Sequence, residues 1–177
     1  MSLPPPRVVD RPALTLAGMS FFGDPFTSHA GWTEENEIGR LWVRLMRHLE
    51  SVGALKPHVT YEVHLRGTDS ALTGEFEVFA GYPVPGPCAP APDDVAVELV
   101  ARTLPAGEYL EIELHGADIV EENPVLAQWF SESGYREGGP FIVLRYDERF
   151  LGADRLDESV VTFLMPVRPA ADGDDAG

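Results

Sequence analysis

The residues able to do acid–base, nucleophilic or metal chemistry do not assemble into a familiar constellation. His29, His48, His58, His64 and His115 show no metal-ligand spacing. Cys88 is the single cysteine. It excludes an internal disulfide and a multi-cysteine zinc site, and with no histidine near it in sequence it reads as an incidental exposed thiol. There is no Gly-x-Ser-x-Gly elbow and no glycine-rich phosphate loop. Carboxylates remain. Glu35 lies three residues before Ile38 and seven before Trp42, so on a helix it projects near the apolar stripe, where it is the candidate acid for activating a water. Its alternative is a solvated acid in a first helical turn. Asp24, in Gly23-Asp24-Pro25-Phe26, is a turn former or a lid residue. Glu62, Glu77, Glu111 and Glu113 alternate with apolar neighbours and read as solvated sheet faces. Tyr61 opens an alternating run, and a buried tyrosine hydroxyl needs a partner, which favours a polar pocket edge there.

Regular elements must position these groups. Leu14 to Phe22 is strand-like. Thr33, followed by Glu34, Glu35, Asn36 and Glu37, predicts a helix N-cap with acids in the first turn. Ile38, Leu41, Trp42, Leu45, Met46, Leu49 and Val52 then form one apolar helical stripe, stopped by Gly53. Tyr61–Arg66 and Glu75–Tyr82 read as strands. Beyond a proline-rich interruption, Val95–Arg102 and Glu108–Leu114 predict strands around a Pro105-Ala106-Gly107 turn. A shorter helix carries Leu126, Trp129 and Phe130 and stops at Gly134, with Pro124 tolerated if Asn123 is the cap or if it lies in the first turn. Phe141–Tyr146 and Val160–Val167 complete the pattern. The order strand, helix, strand, strand occurs twice, which defines an α+β duplication with antiparallel sheets.

These elements organise 177 residues into one domain over 11–168, with halves at about 11–82 and 95–168 and a proline-rich linker at 83–94. Residues 1–10 read as a disordered tail and 169–177 as an acidic tail. Lys and Arg number 13 against 29 Asp and Glu, a net charge of −16. A negative chain with scattered arginines lacks the basic face that nucleic acid or an anionic membrane requires. No apolar run approaches the roughly 18 residues of a membrane span, and no signal-peptide h-region is visible, so a cytoplasmic location is expected.

Six ordered pieces resemble a known family. They are Gly18-Met19-Ser20-Phe21-Phe22-Gly23-Asp24-Pro25-Phe26, Trp32 to Trp42, Pro105-Ala106-Gly107-Glu108-Tyr109, Trp129-Phe130-Ser131-Glu132-Ser133-Gly134-Tyr135, Arg145-Tyr146-Asp147-Glu148-Arg149-Phe150 and Met165-Pro166-Val167. Together they resemble the GyrI-like small-molecule-binding domains, the effector-binding domains of AraC-type and MerR-type regulators. The resemblance implies a pseudo-twofold fold with an aromatic-lined ligand cleft between the halves, in a stand-alone member without a helix-turn-helix. It places Trp42, Tyr61, Phe76, Leu144 and Tyr146 at ligand-lining positions, with core packing as the alternative for Trp42, Tyr61 and Phe76. Leu144 stands where the family commonly carries a glutamate, two residues before the tyrosine.

A leucine there implies a cleft without its charge, hence a hydrophobic, neutral or aromatic ligand captured for sensing or sequestration. Two alternatives stay open. One is hydrolysis of strained cyclopropane-containing electrophiles, using an acid such as Glu35. The other is a protein-interaction module of the gyrase-inhibitor kind. No cofactor or metal is expected, and the chain is expected to be a monomer or homodimer.

Overall fold

The computed structural model describes residues 5–54, 56–85, 99–116 and 123–170. Nine strands and three helices follow in the order β1 (Arg7–Arg11), β2 (Leu14–Gly23), α1 (Glu37–Ser51), β3 (Thr60–Arg66), α2 (Ser70–Thr73), β4 (Phe76–Pro83), β5 (Val100–Leu104), β6 (Gly107–His115), α3 (Asn123–Ser133), β7 (Tyr135–Glu137), β8 (Phe141–Tyr146) and β9 (Val160–Pro169). Eight strands form one antiparallel sheet in the order β1-β6-β9-β8-β3-β4-β2-β5, and β7 pairs with the far end of β9.

The duplication is visible in that order. β2, α1, β3 and β4 make one module and β6, α3, β8 and β9 the other, and the modules meet where β3 pairs with β8. β1 and β5 are exchanged. β1 precedes β2 but pairs with β6, whereas β5 precedes β6 but pairs with β2. Only Pro12-Ala13 and Pro105-Ala106 join these strands to the next. Such links span roughly 10 Å at most, so the two edges of the sheet are drawn together and the sheet curls. One buried cluster accordingly collects Leu16, Tyr61, Val63, Phe79, Leu104, Tyr109, Val143 and Leu164, with Val9 against it. It fills the inside of the curl. The helices cover the other face, α1 over Met19, Val78 and Ala80, and α3 over residues that include Leu114, Val161 and Phe163. Both faces of the central strands are therefore covered.

Several local expectations change. The segment read as a disordered tail includes β1, registered with β6 from Arg7 opposite Glu111 to Arg11 opposite Gly107. Val8 and Val9 are too few to show periodicity; the strand is made by the edge it completes. Helix α1 starts at Glu37, capped by Asn36 and not by Thr33. The Asn36 side chain accepts from the Gly39 N–H at 3.0 Å and donates to the Gly31 carbonyl at 2.7 Å. Thr33 accepts only from the Glu35 N–H, in the loop before the helix. The strand expected at Val95–Arg102 is observed at Val100–Leu104; residues 95–98, most of the proline-rich linker and the acidic tail from 171 lie outside the described residues.

Candidate functional site

Alternation along β3 sends Tyr61, Val63 and Leu65 into the curl, and Glu62 and His64 to the face that carries the helices. Across the seam, β8 places Leu144 directly opposite Glu62 and Ile142 opposite His64. Leu144 and Tyr146 share this face. The Glu62 side chain is 5% exposed. Its Oε2 accepts from the Trp42 indole N–H at 2.6 Å and from the Tyr146 hydroxyl at 3.2 Å. Its Oε1 lies 2.7 Å from His64 Nε2. Among the described residues no lysine or arginine pairs with it. Burial, together with the charge of Glu62 and the hydrogen bond to it, pushes the Tyr146 hydroxyl well above its ordinary range, so it stays a proton donor.

Aromatic rings wall the carboxylate. The Trp42 and Tyr146 rings meet edge to face at 5.6 Å. Trp32 reaches Tyr146 at 6.0 Å and Phe150 at 5.7 Å, and Tyr146 and Phe150 lie 4.8 Å apart. Trp32 arrives on the loop before α1, which lies hard against the helix. A Cβ on Gly39 would stand 2.1 Å from the Thr33 carbonyl oxygen and 2.5 Å from Glu34 Cα. Glycine at that position is what lets the loop close over the cage. Open space lies on the same face towards the end of β3, lined by no residue of the cage. A cavity of about 250 Å³, lined in part by Arg66, Ile142 and Met165, lies one strand repeat beyond His64. A second cavity, of about 200 Å³, lies inside the curl around Val63, Phe79 and Leu104. It shares no residue with the cage and offers its apolar walls only the Glu77–Arg102 ion pair.

The structure thus brings Trp42, Leu144 and Tyr146 together. Phe76 stands at the edge, its ring 5.3 Å from that of His64. Tyr61 does not join them. It is buried on the inner face with Val63 and Phe79, because odd residues of β3 point away from the cage. Glu35 does not join them either. It precedes the helix, its side chain is 67% exposed, and it faces His29 at 3.1 Å.

Glu62 and Glu111 overturn the expectation of solvated acids. Glu111 is 6% exposed and is held by Arg7 and Arg11 of β1. Burial works to raise its pKa, but the two guanidiniums outweigh it and hold the carboxyl below its ordinary value. Glu62 is the buried acid that the alternation hid. The signal available was an acid and a histidine on one face of a strand whose other face is already apolar, in a chain with two helices to cover it.

A curled antiparallel sheet with one helix per module, and a buried acid among aromatic rings at the seam, defines a duplicated α+β domain. The chain belongs to the GyrI-like small molecule binding domain family, which it matches over residues 4–168. An 82-residue stretch is 37% identical to the transcriptional regulator BrlR of Pseudomonas aeruginosa, covering 45% of this chain and 27% of BrlR. The fold is similar to that of the C-terminal domain of EcmrR, with TM-score 0.60, 12% identity and coverage of 93% of this chain and 97% of that one. It is also similar to SAV2435, solved bound to tetraphenylphosphonium, with TM-score 0.59, 12% identity and coverage of 96% and 97%.

Proposed function

We propose that this small-molecule-binding domain captures an organic cation with an apolar, aromatic body, seated in the cleft with its charge at Glu62. The observation that carries this is a carboxylate almost out of water, walled by Trp42 and Tyr146, with no lysine or arginine among the described residues against it. Such a group gains more from an incoming cation than a solvated acid does, and the rings add cation–π attraction. The neutral ligand expected from Leu144 loses its premise. The charge missing from β8 is supplied by β3, at the position directly across the ladder. The apolar body would extend past His64 towards the cavity of about 250 Å³ lined by Arg66 and Ile142. Capture for sensing or sequestration is the role this supports.

Hydrolysis would have to run on Glu62, since Glu35 faces solvent. Both lone-pair directions of Oε2 are taken by Trp42 and Tyr146, which leaves little of the carboxylate to activate a water.

The test is calorimetric titration with tetraphenylphosphonium against the neutral triphenylphosphine oxide, in the wild type and in Glu62→Gln. Saturable binding of the cation, weaker by about tenfold or more for the oxide and for the variant, is expected. Equal affinity for both compounds, or cation binding unchanged in Glu62→Gln, would refute the assignment.

A further inference from the structure

We propose that His64 is the built-in counter-cation of Glu62, a positioning residue that an incoming cation must displace, so that affinity for cations rises as His64 loses its proton. This rests on the cation site proposed above.

His64 sits two residues from Glu62 on the same strand face, with Nε2 2.7 Å from Oε1, and its side chain is 16% exposed. In strand order it stands between the carboxylate and the open space beside Arg66 and Ile142. A ligand reaching Glu62 from that side therefore passes the imidazole. No other titratable cation is placed to do this. On its own strand the face carries Glu62 and then Arg66, which makes no ion pair among the described residues. On β4 the opposed residue is Val78, with the Phe76 ring beside the imidazole. On β8 the face offers Ile142, Leu144 and the Tyr146 hydroxyl, and α1 offers Trp42 flanked by Ile38 and Met46. Glu137 lines the far side of the open space with Arg66.

Two states of the entrance follow. With His64 protonated, Glu62 is neutralised from within, and the entrance presents His64 and Arg66 to a cation. With His64 neutral, the imidazole still donates one hydrogen bond, but the charge of Glu62 is uncompensated and open to a ligand. Histidines in general exchange their proton between pH 5 and 8, which is the range the experiment covers.

The experiment measures tetraphenylphosphonium affinity from pH 5.5 to 8.5 for the wild type, His64→Gln and the exposed control His115→Gln. The wild type and the control are expected to gain at least about fivefold in affinity with rising pH. His64→Gln is expected to stay flat near the wild-type high-pH value. A slope that persists in His64→Gln, or a flat wild type, overturns the proposal. A second readout needs no ligand. The Trp42 indole N–H resonance, reporting the far oxygen of Glu62, should move with pH in the wild type and stay still in His64→Gln. If tetraphenylphosphonium binds nowhere, the cation site fails, while this resonance still decides whether His64 and Glu62 titrate as a pair; an unmoved resonance in the wild type rejects the pairing.

Discussion

Replacing Glu62 by glutamine removes a charge while keeping the shape and the hydrogen bonds of the cage. The glutamine carbonyl can accept from both Trp42 and Tyr146, and its amide can donate to a neutral His64. Three charge-assisted bonds become ordinary ones, a loss of about 1 kcal/mol each. Against this, a carboxylate 5% exposed no longer has to be kept out of water, a penalty of several kcal/mol for an ion without a full counter-charge. At pH 8.5 the sum is expected between zero and about 2 kcal/mol in favour of the variant. That raises Tm by up to about 6 °C in a chain of this size. Glu62→Ala behaves differently. It strands the Trp42 and Tyr146 donors in the core, and at about 1–3 kcal/mol each the fold loses about 3 kcal/mol or more. Thermal unfolding of the three proteins, with and without tetraphenylphosphonium, reads both effects. Ligand at a hundred times its Kd should add about 2.7 kcal/mol to the wild type and little to the glutamine variant. A glutamine variant less stable than the wild type by more than about 2 kcal/mol at pH 8.5 would refute the reasoning, because the charge would then be holding the fold together.

Two further outcomes follow from the described contacts. Asn36→Ala removes a buried cap that bonds both Gly39 and Gly31, so a loss of about 1–2 kcal/mol in chemical denaturation is expected, together with faster amide exchange in the first turn of α1. Asp147 is nearly buried, and the hydrogen bonds from Arg149, with the charge of Arg145 added, hold its pKa down to about 2. A lowered carboxylate pKa contributes stability that is full above the ordinary value and is lost as pH falls through the lowered one. Asp147→Asn should therefore cost about 1–2 kcal/mol at pH 7, and the gap to the wild type should close between about pH 4 and pH 2 in acid titrations followed by circular dichroism.

The sequence exposed the elements better than it exposed the site. The stripe from Ile38 to Val52 and the alternation from Tyr61 to Arg66 were legible because period alone places residues on faces. Period does not say which face meets water. On an ordinary half-buried sheet the polar set of β3 would be the wet one. On β3 the curl takes the apolar set and the helices take the polar set, so Glu62 is buried against expectation, whereas Glu111 shares the inner side of β6 with Tyr109 and is buried under Arg7 and Arg11 of β1. The family resemblance put Tyr61 in the cleft, when its parity sends it inside the curl. The leucine at 144 was visible, but the buried acid opposite it was not. Glu62 lies 82 positions earlier, and only the β3–β8 register makes the two neighbours. The cap was misplaced for a local reason. Thr33 and Asn36 both precede acids, and only the loop folding back on Gly39 decides for Asn36.

The exchange of β1 and β5 has a consequence for how the protein is made. During synthesis β1 emerges about a hundred residues before its partner, as Arg7 waits for Glu111. β2 likewise waits for β5. The first module therefore leaves the ribosome with one edge unpaired and the inner cluster missing Tyr109, Val143 and Leu164. It cannot complete a core of its own, so the two modules must fold together after most of the chain is out, and slowly, as such distant pairing dictates. A pause or truncation before residue 115 would leave an aggregation-prone half, and a nascent-chain protease assay should find the N-terminal segment cleavable until β6 has emerged.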